Sequence, residues 1–236
     1  MDWKHAYRSF YYETLADIPE FELPRAETAL LIVDVQNVYF SEPPDAGADE
    51  RARLEWARWQ PFRERMQHIV VPATRLVLEY FRRHGMDVFF ARIASLRRDG
   101  RDRSLSQRRP GFNNVLLPAT DYPSQIIDAL APGPDEIIVA KTTDSALTGT
   151  NLRLVLHNMG IRHVVVTGIF TDQCISSTVR SLADESFNVV VLDDCCAAAT
   201  DHLHRHELEI INNIYCQVMR SDELIALLEQ ARCRSG

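Results

Sequence analysis

No stretch of this 236-residue chain stays apolar for the ~20 residues that a membrane-spanning helix requires. Residues 1–15 (MDWKHAYRSFYYETL) mix charges with aromatics and hold no apolar core of a secretory signal, so a soluble, cytoplasmic protein with no membrane partner is expected. There is no basic excess either. Lys and Arg number 26 against 33 Asp and Glu, a formal net charge of -7, which argues against a nucleic-acid partner. The five cysteines include no CxxC pair, and their odd number speaks against a disulfide framework or a cysteine zinc site. Internal repeats are absent. Arginine is dense only at 97–109 (RRDGRDRSLSQRR), which reads as a solvated loop or as a patch for an anionic substrate or a neighbouring subunit.

What is present is alternation of strand and helix signals. TALLIVDV (28–35) is a continuous apolar run, the pattern of a strand covered on both faces. Further strands are expected at 87–94, 136–140, 163–168, 188–194 and 216–219. Helical spacing fills 62–84, 150–159, 174–186, 201–214 and 221–232, with Gly85 and Gly160 as stops and Ser221 as an N-cap. Such alternation implies parallel pairing through right-handed crossovers. The expected fold is therefore one doubly wound, three-layer α/β domain with a central, mostly parallel sheet of about six strands. Residues 1–26 would be an N-terminal extension to a domain spanning 27–236. Residues 41–62, with Trp56 and Trp59, would be an insertion serving as a lid, a subunit contact or surface decoration.

Open parallel sheets bind ligands beyond the carboxyl ends of their strands. Just past those ends lie Asp34, Gln36 and Asn37; Arg92; Lys141 and Thr142; Phe170, Thr171 and Cys174; and Asp193, Asp194, Cys195 and Cys196. An acid, a lysine and a thiol thus meet on one edge. A helix start and a nearby ammonium both favour thiolate at Cys174. A carboxylate can take the thiol proton and return it to a leaving amine. Backbone N–H groups of the turn before Cys174 could hold an oxyanion. Together these suit acyl transfer from an amide carbonyl.

Three motifs carry a resemblance. ALLIVDVQN (29–37), KTTDSALTGTNL (141–152) and TGIFTDQCISST (167–178) are similar to the signature segments of the isochorismatase-like cysteine hydrolases, over roughly residues 27–230. Leu147 and Ile175 stand where Phe and Val are common. The resemblance implies Asp34 as base, Lys141 as electrostatic partner and Cys174 as nucleophile. It also implies a cis peptide between Ile169 and Phe170, with the N–H groups of Phe170 and Cys174 aimed at the oxyanion. Substrate would be held by strand-end residues: Gln36, Tyr39 or Phe40, Arg92, Ser145, Phe170 and Thr171. Arg92 could grip a substrate carboxylate or pair with a protein acid.

The region after the second strand (ARIASLRRDGRDRS) holds no histidine, so the metal site of the family's nicotinamidases is not expected, and no cofactor is. The expected reaction is hydrolysis of a C–N bond in a small amide, carbamoyl or ureido compound through a thioester. The alternatives are isochorismate-type ether hydrolysis and a catalytically silent binding protein. His202 and His206 have the i,i+4 spacing of a metal pair, which an exposed helix face explains equally well. The resemblance further implies a homodimer or homotetramer.

Overall fold

The computed structural model describes residues 3–15, 22–40, 42–45 and 47–234, with side chains through residue 230. Six strands form one sheet: β1 (Thr28–Val33), β2 (Asp87–Ile93), β3 (Ile137–Lys141), β4 (His163–Ile169), β5 (Asn188–Ala197) and β6 (Gln217–Met219). Their order is β3-β2-β1-β4-β5-β6, and every neighbouring pair is parallel. Among the described residues eight α-helices accompany them: α1 (Glu50–Arg58), α2 (Gln60–Arg65), α3 (Val71–Arg83), α4 (Leu105–Arg108), α5 (Leu152–Asn158), α6 (Ser176–Asp184), α7 (Asp201–Ile211) and α8 (Ser221–Arg234). Among the described residues no helix is long and apolar enough to cross a membrane.

Strand alternation divides the core into two layers of contact. Leu30, Ile32, Phe90 and Val190 pack on one face against Phe62, Phe81 and Leu224, from α2, α3 and α8. Leu31, Val33, Phe89 and Val191 pack on the other against Leu152, Val179 and Leu208, from α5, α6 and α7. The chain reverses its direction of winding between β1 and β4. That pair is the topological switch point, where a cleft opens beyond the carboxyl ends of the strands.

The expected helix over 62–84 is one continuous helical run with a π-helical turn, Met66–Val70, joining α2 to α3. The 41–62 segment is largely helical, since α1 and the start of α2 lie in it; Ser41 and Ala46 fall outside the described residues. The N-terminal residues are stitched to the far edge of the domain. Trp3 is buried, its N–H donates to Glu223 Oε1, and Asn212 Nδ2 donates to the Ala6 and Tyr7 carbonyls.

Two expectations need correction. β5 does not end at residue 194: it runs on to Ala197, its register slipping between Val166 and Gly168 of β4, so Cys195 and Cys196 are buried strand residues. Ser221 does not cap α8 with its hydroxyl, which donates to Asp194 Oδ2; Glu223 instead reaches back to the Arg220 N–H.

Gly168 sits at this register slip with φ +119°, and a Cβ built there would collide with the Val33 carbonyl. Only glycine lets β4 approach β1 this closely. Gly168→Ala is expected to destabilise the fold by about 3–5 kcal/mol through overpacking and backbone strain, read as a lowered denaturation midpoint in urea.

Candidate active site

β1 delivers its acid through an unusual backbone. Asp34 has φ +57°, in the left-handed region that aspartate tolerates better than most side chains. Its N–H donates to the Ala91 carbonyl, and the Gln36 N–H donates back to the Asp34 carbonyl, a tight turn at the end of the strand. β3 delivers Lys141 as its last residue, and β4 leads into a π-helical turn, Thr171–Ile175, that carries Cys174. The Ile169–Phe170 peptide is cis.

The structure brings Asp34, Lys141 and Cys174 into contact. Lys141 Nζ lies 2.7 Å from Asp34 Oδ2 and 3.2 Å from Cys174 Sγ. Lys141 is 0% exposed and Asp34 2%. The lysine–aspartate approach is an ion pair rather than a well-directed hydrogen bond, and neither Asp34 oxygen has a directed partner among the described residues. Burial raises the Asp34 pKa, opposed by Lys141. Burial pulls the Lys141 pKa down, yet Asp34 and Cys174 more than offset it and leave it raised, so the ammonium is held.

The expected thiolate needs correcting. Burial, and then the Asp34 carboxylate, push the Cys174 thiol well above the ordinary thiol range, with Asp144 adding to the push and Lys141 opposing it. Desolvation penalises the anion more than the ammonium favours it. The surroundings thus favour the thiol over the thiolate, with the Asp34 carboxylate beside it.

Over Cys174 lies a chamber of about 20 Å³, room for about one water. Tyr39, Phe112 and Phe170 are among its apolar walls; Gln107, Asn113, Asp144 and Gln173 are polar. Through Tyr39, Phe112 and Val115 it shares walls with a wider cavity of about 430 Å³, which also takes in Trp56 and Trp59. Phe170 is the hub of the aromatic wall, its ring centroid 5.0–5.9 Å from those of Tyr39, Trp59, Phe62 and Phe112.

Several residues expected at the substrate are occupied elsewhere. Arg92 Nη1 donates to the Ala119 and Ser124 carbonyls and fastens that loop. Gln36 is fully buried and bonds to the Ile93 main chain and the Ser124 carbonyl. Ser145 donates to Ser181 Oγ, and Phe40 packs against the core. Among the expected substrate contacts, Phe170 and Tyr39 line the chamber; Thr171 is buried behind it.

Thr171 Oγ1 lies 2.8 Å from His204 Nδ1, and His204 Nε2 lies 2.8 Å from Asp193 Oδ1. Asp193 also accepts from Arg65, and despite its burial His204, Tyr7 and Arg65 hold its carboxyl down at about 2. The middle histidine of DHLHRHE thus braces the Thr171–Ile175 turn from behind, while its two neighbours carry the i,i+4 spacing. His202 and His206 stack on the exposed side, and among the described residues no group of three or more potential ligands could hold a metal ion. Gln107 comes from the short helix α4 and Phe112 from the loop after it, in a segment without periodic pattern; Asp144 lies three residues after Lys141, within a motif already in view.

A doubly wound sheet with a thiol, an ammonium and a carboxylate buried at its switch point defines the class as an α/β protein with a cysteine centre. Residues 28–223 match the isochorismatase domain. The chain belongs to the isochorismatase family. It is similar to the ureidoacrylate amidohydrolase RutB of Acinetobacter baylyi, 27% identical over 207 residues that cover 85% of this chain and 83% of that one. The same-named protein of Methylobacterium radiotolerans is 29% identical, with 82% and 76% covered. A cysteine hydrolase from Pseudomonas syringae pv. phaseolicola has the same fold, with TM-score 0.73, 24% identity and 90% and 97% of the two chains covered.

Removing one member of the buried pair strands the other. Lys141→Met should cost about 3–5 kcal/mol by leaving Asp34 uncompensated. Adding Asp34→Asn should restore most of that stability, as measured by thermal and urea unfolding.

Proposed function

We propose that the chain is a cysteine-dependent amidohydrolase that cleaves the C–N bond of a small amide, carbamoyl or ureido substrate without a cofactor. The observation that carries this reading is the buried ammonium of Lys141, 2.7 Å from Asp34 and 3.2 Å from the Cys174 sulfur. The amidohydrolase names of the similar proteins support it.

Asp34 acts as the base, and its raised pKa suits it to receive the proton. The Cys174 S–H proton passes to Asp34 as sulfur bonds to the carbonyl carbon, and the carbonyl electron pair moves onto oxygen. The N–H groups of Phe170 and Cys174 would receive that oxyanion. Collapse re-forms the carbonyl, breaks the C–N bond and returns the Asp34 proton to the departing nitrogen. Water then gives a proton to Asp34 and attacks the thioester. As the C–S bond breaks, the sulfur regains its proton. Lys141 stays charged throughout and steadies whichever of its two partners is anionic.

Residues 1–26 are taken as an extension to the 27–236 domain. The 41–62 insertion is taken as part of the lid over the site, because its Trp56 and Trp59 line the wider cavity. A homodimer or homotetramer is the assembly we favour, on the exposure of Phe10 (81%) and Tyr11 (84%). A monomer mass by light scattering would remove that part of the reading.

The mechanism is tested at Cys174. Cys174→Ala should lower ammonia release from an active amide or ureide by about 10³-fold or more, and a covalent acyl adduct should appear by mass spectrometry on the wild type alone. Survival of hydrolysis in the variant would overturn the thioester mechanism. Because the resting thiol is raised, iodoacetamide should label Cys174 slowly at neutral pH. Labelling should accelerate only as pH climbs past the ordinary thiol range.

A further inference from the structure

The chamber over Cys174 is chemically one-sided. The chamber itself presents no cation among the described residues: no arginine or lysine lines it. Lys141 lies beneath it, fully buried and engaged by Asp34 and Cys174. In the wider cavity the basic side chain is Arg63. Its guanidinium lies 3.6 Å from the Trp56 ring centroid and donates to the Trp56 carbonyl and to Gln60 Oε1. Arg92, expected either to grip a substrate carboxylate or to pair with a protein acid, is turned onto loop carbonyls.

The chamber does present an acid. Asp144 Oδ1 accepts a 2.6 Å hydrogen bond from Gln107 Nε2 and lies 3.8 Å from Cys174 Sγ. No hydrogen bond reaches Asp144 Oδ2 among the described residues. Gln107 is buried and its amide is committed to Asp144, so the carboxylate is held in place. The thiol therefore has one carboxylate behind Lys141, Asp34, and a second on the cavity side, Asp144.

We propose that Asp144 is a specificity-determining residue that selects a neutral ureide carrying an apolar substituent and rejects ureido acids. This deepens the amidohydrolase reading and rests on it. A ureide attacked at its carbonyl carbon has a nitrogen on each side. One leaves with the proton from Asp34, and the other can donate its N–H to the open oxygen of Asp144. The substituent extends into the cavity walled by Trp56, Trp59 and Phe112, whose lining is mostly apolar. A substrate carboxylate would meet Asp144 without a compensating cation.

Phenethylurea and N-carbamoylphenylalanine share one tail and differ by a carboxylate. Ammonia release from both is measured with wild type, Asp144→Asn and Cys174→Ala. The wild type should favour phenethylurea by about 100-fold or more in kcat/KM. Asp144→Asn should narrow that ratio at least tenfold, losing on the neutral ureide and gaining on the acid. Trp59→Ala should raise KM for phenethylurea with little change in kcat. Protection of Cys174 from iodoacetamide by each compound gives the same ranking independently of turnover. Cys174-dependent hydrolysis with the acid equal or preferred overturns the role of Asp144 alone. So does a ratio that Asp144→Asn leaves unmoved, or equal protection by both compounds. Hydrolysis that persists in Cys174→Ala overturns the thioester reading as well.

Discussion

The structure turns on a lysine with no access to water. A buried ammonium is tolerable only where carboxylate or similar acceptors surround it, and Lys141 finds Asp34 and the Cys174 sulfur. Each of the three comes from a different strand end, so the contact exists only when β1, β3 and β4 are aligned in one sheet. The left-handed turn at Asp34 and the close β1–β4 approach at Gly168 are the local irregularities that this alignment demands. The β1–β4 pair is also the switch point, where an open sheet leaves space for a ligand.

The same burial governs the protons. A dry pocket raises an acid's pKa, and it does so for both Asp34 and Cys174. A resting thiolate is thereby disfavoured, while the carboxylate becomes a stronger base than an exposed aspartate. In the mechanism we propose, the thiol is activated by transfer to its neighbour during attack, with Lys141 attracting negative charge wherever it lies. Such a cysteine would be quiet toward solvent electrophiles and reactive only toward a substrate that reaches the proposed oxyanion donors. Exposed low-pKa thiols achieve reactivity by the opposite route.

The apolar runs made the strands legible, and the strand-end rule pointed to Asp34, Lys141 and Cys174 before any coordinates. Continuous hydrophobic stretches bounded by glycine or polar residues have few other physical solutions. The strand-end rule gives position along the chain but not side-chain direction. Arg92 sits at the right edge and turns onto loop carbonyls, because a long guanidinium satisfies several carbonyls at once. Cys195 and Cys196 looked like edge residues because Asp193 and Asp194 resemble a strand's end; the register slip beside Gly168 lets β5 continue through them. Gln107 and Phe112 lie in a long segment without periodicity, and only the folded chain brings them over the sulfur. His204 was visible as one of three histidines, yet its burial follows from α7 presenting that side toward Thr171 and Asp193.

The site divides into a rear and a front with different physics. Its rear is made of strand ends, a buried ion pair and the Thr171–His204–Asp193–Arg65 brace, which runs from buried Thr171 and His204 to half-buried Asp193 and Arg65. Changes there strand a polar group or a charge, so that half tolerates little. The front consists of loop and insertion residues, with Phe112 stacked on Trp59 at 5.1 Å and Asp144 tied to Gln107. Replacing a wall residue alters shape and charge without exposing a buried ion, a far smaller penalty. A fold arranged this way can keep one acyl-transfer apparatus while its entrance is rebuilt for another carbonyl compound. The strand ends therefore constrain the chemistry more tightly than they constrain the substrate.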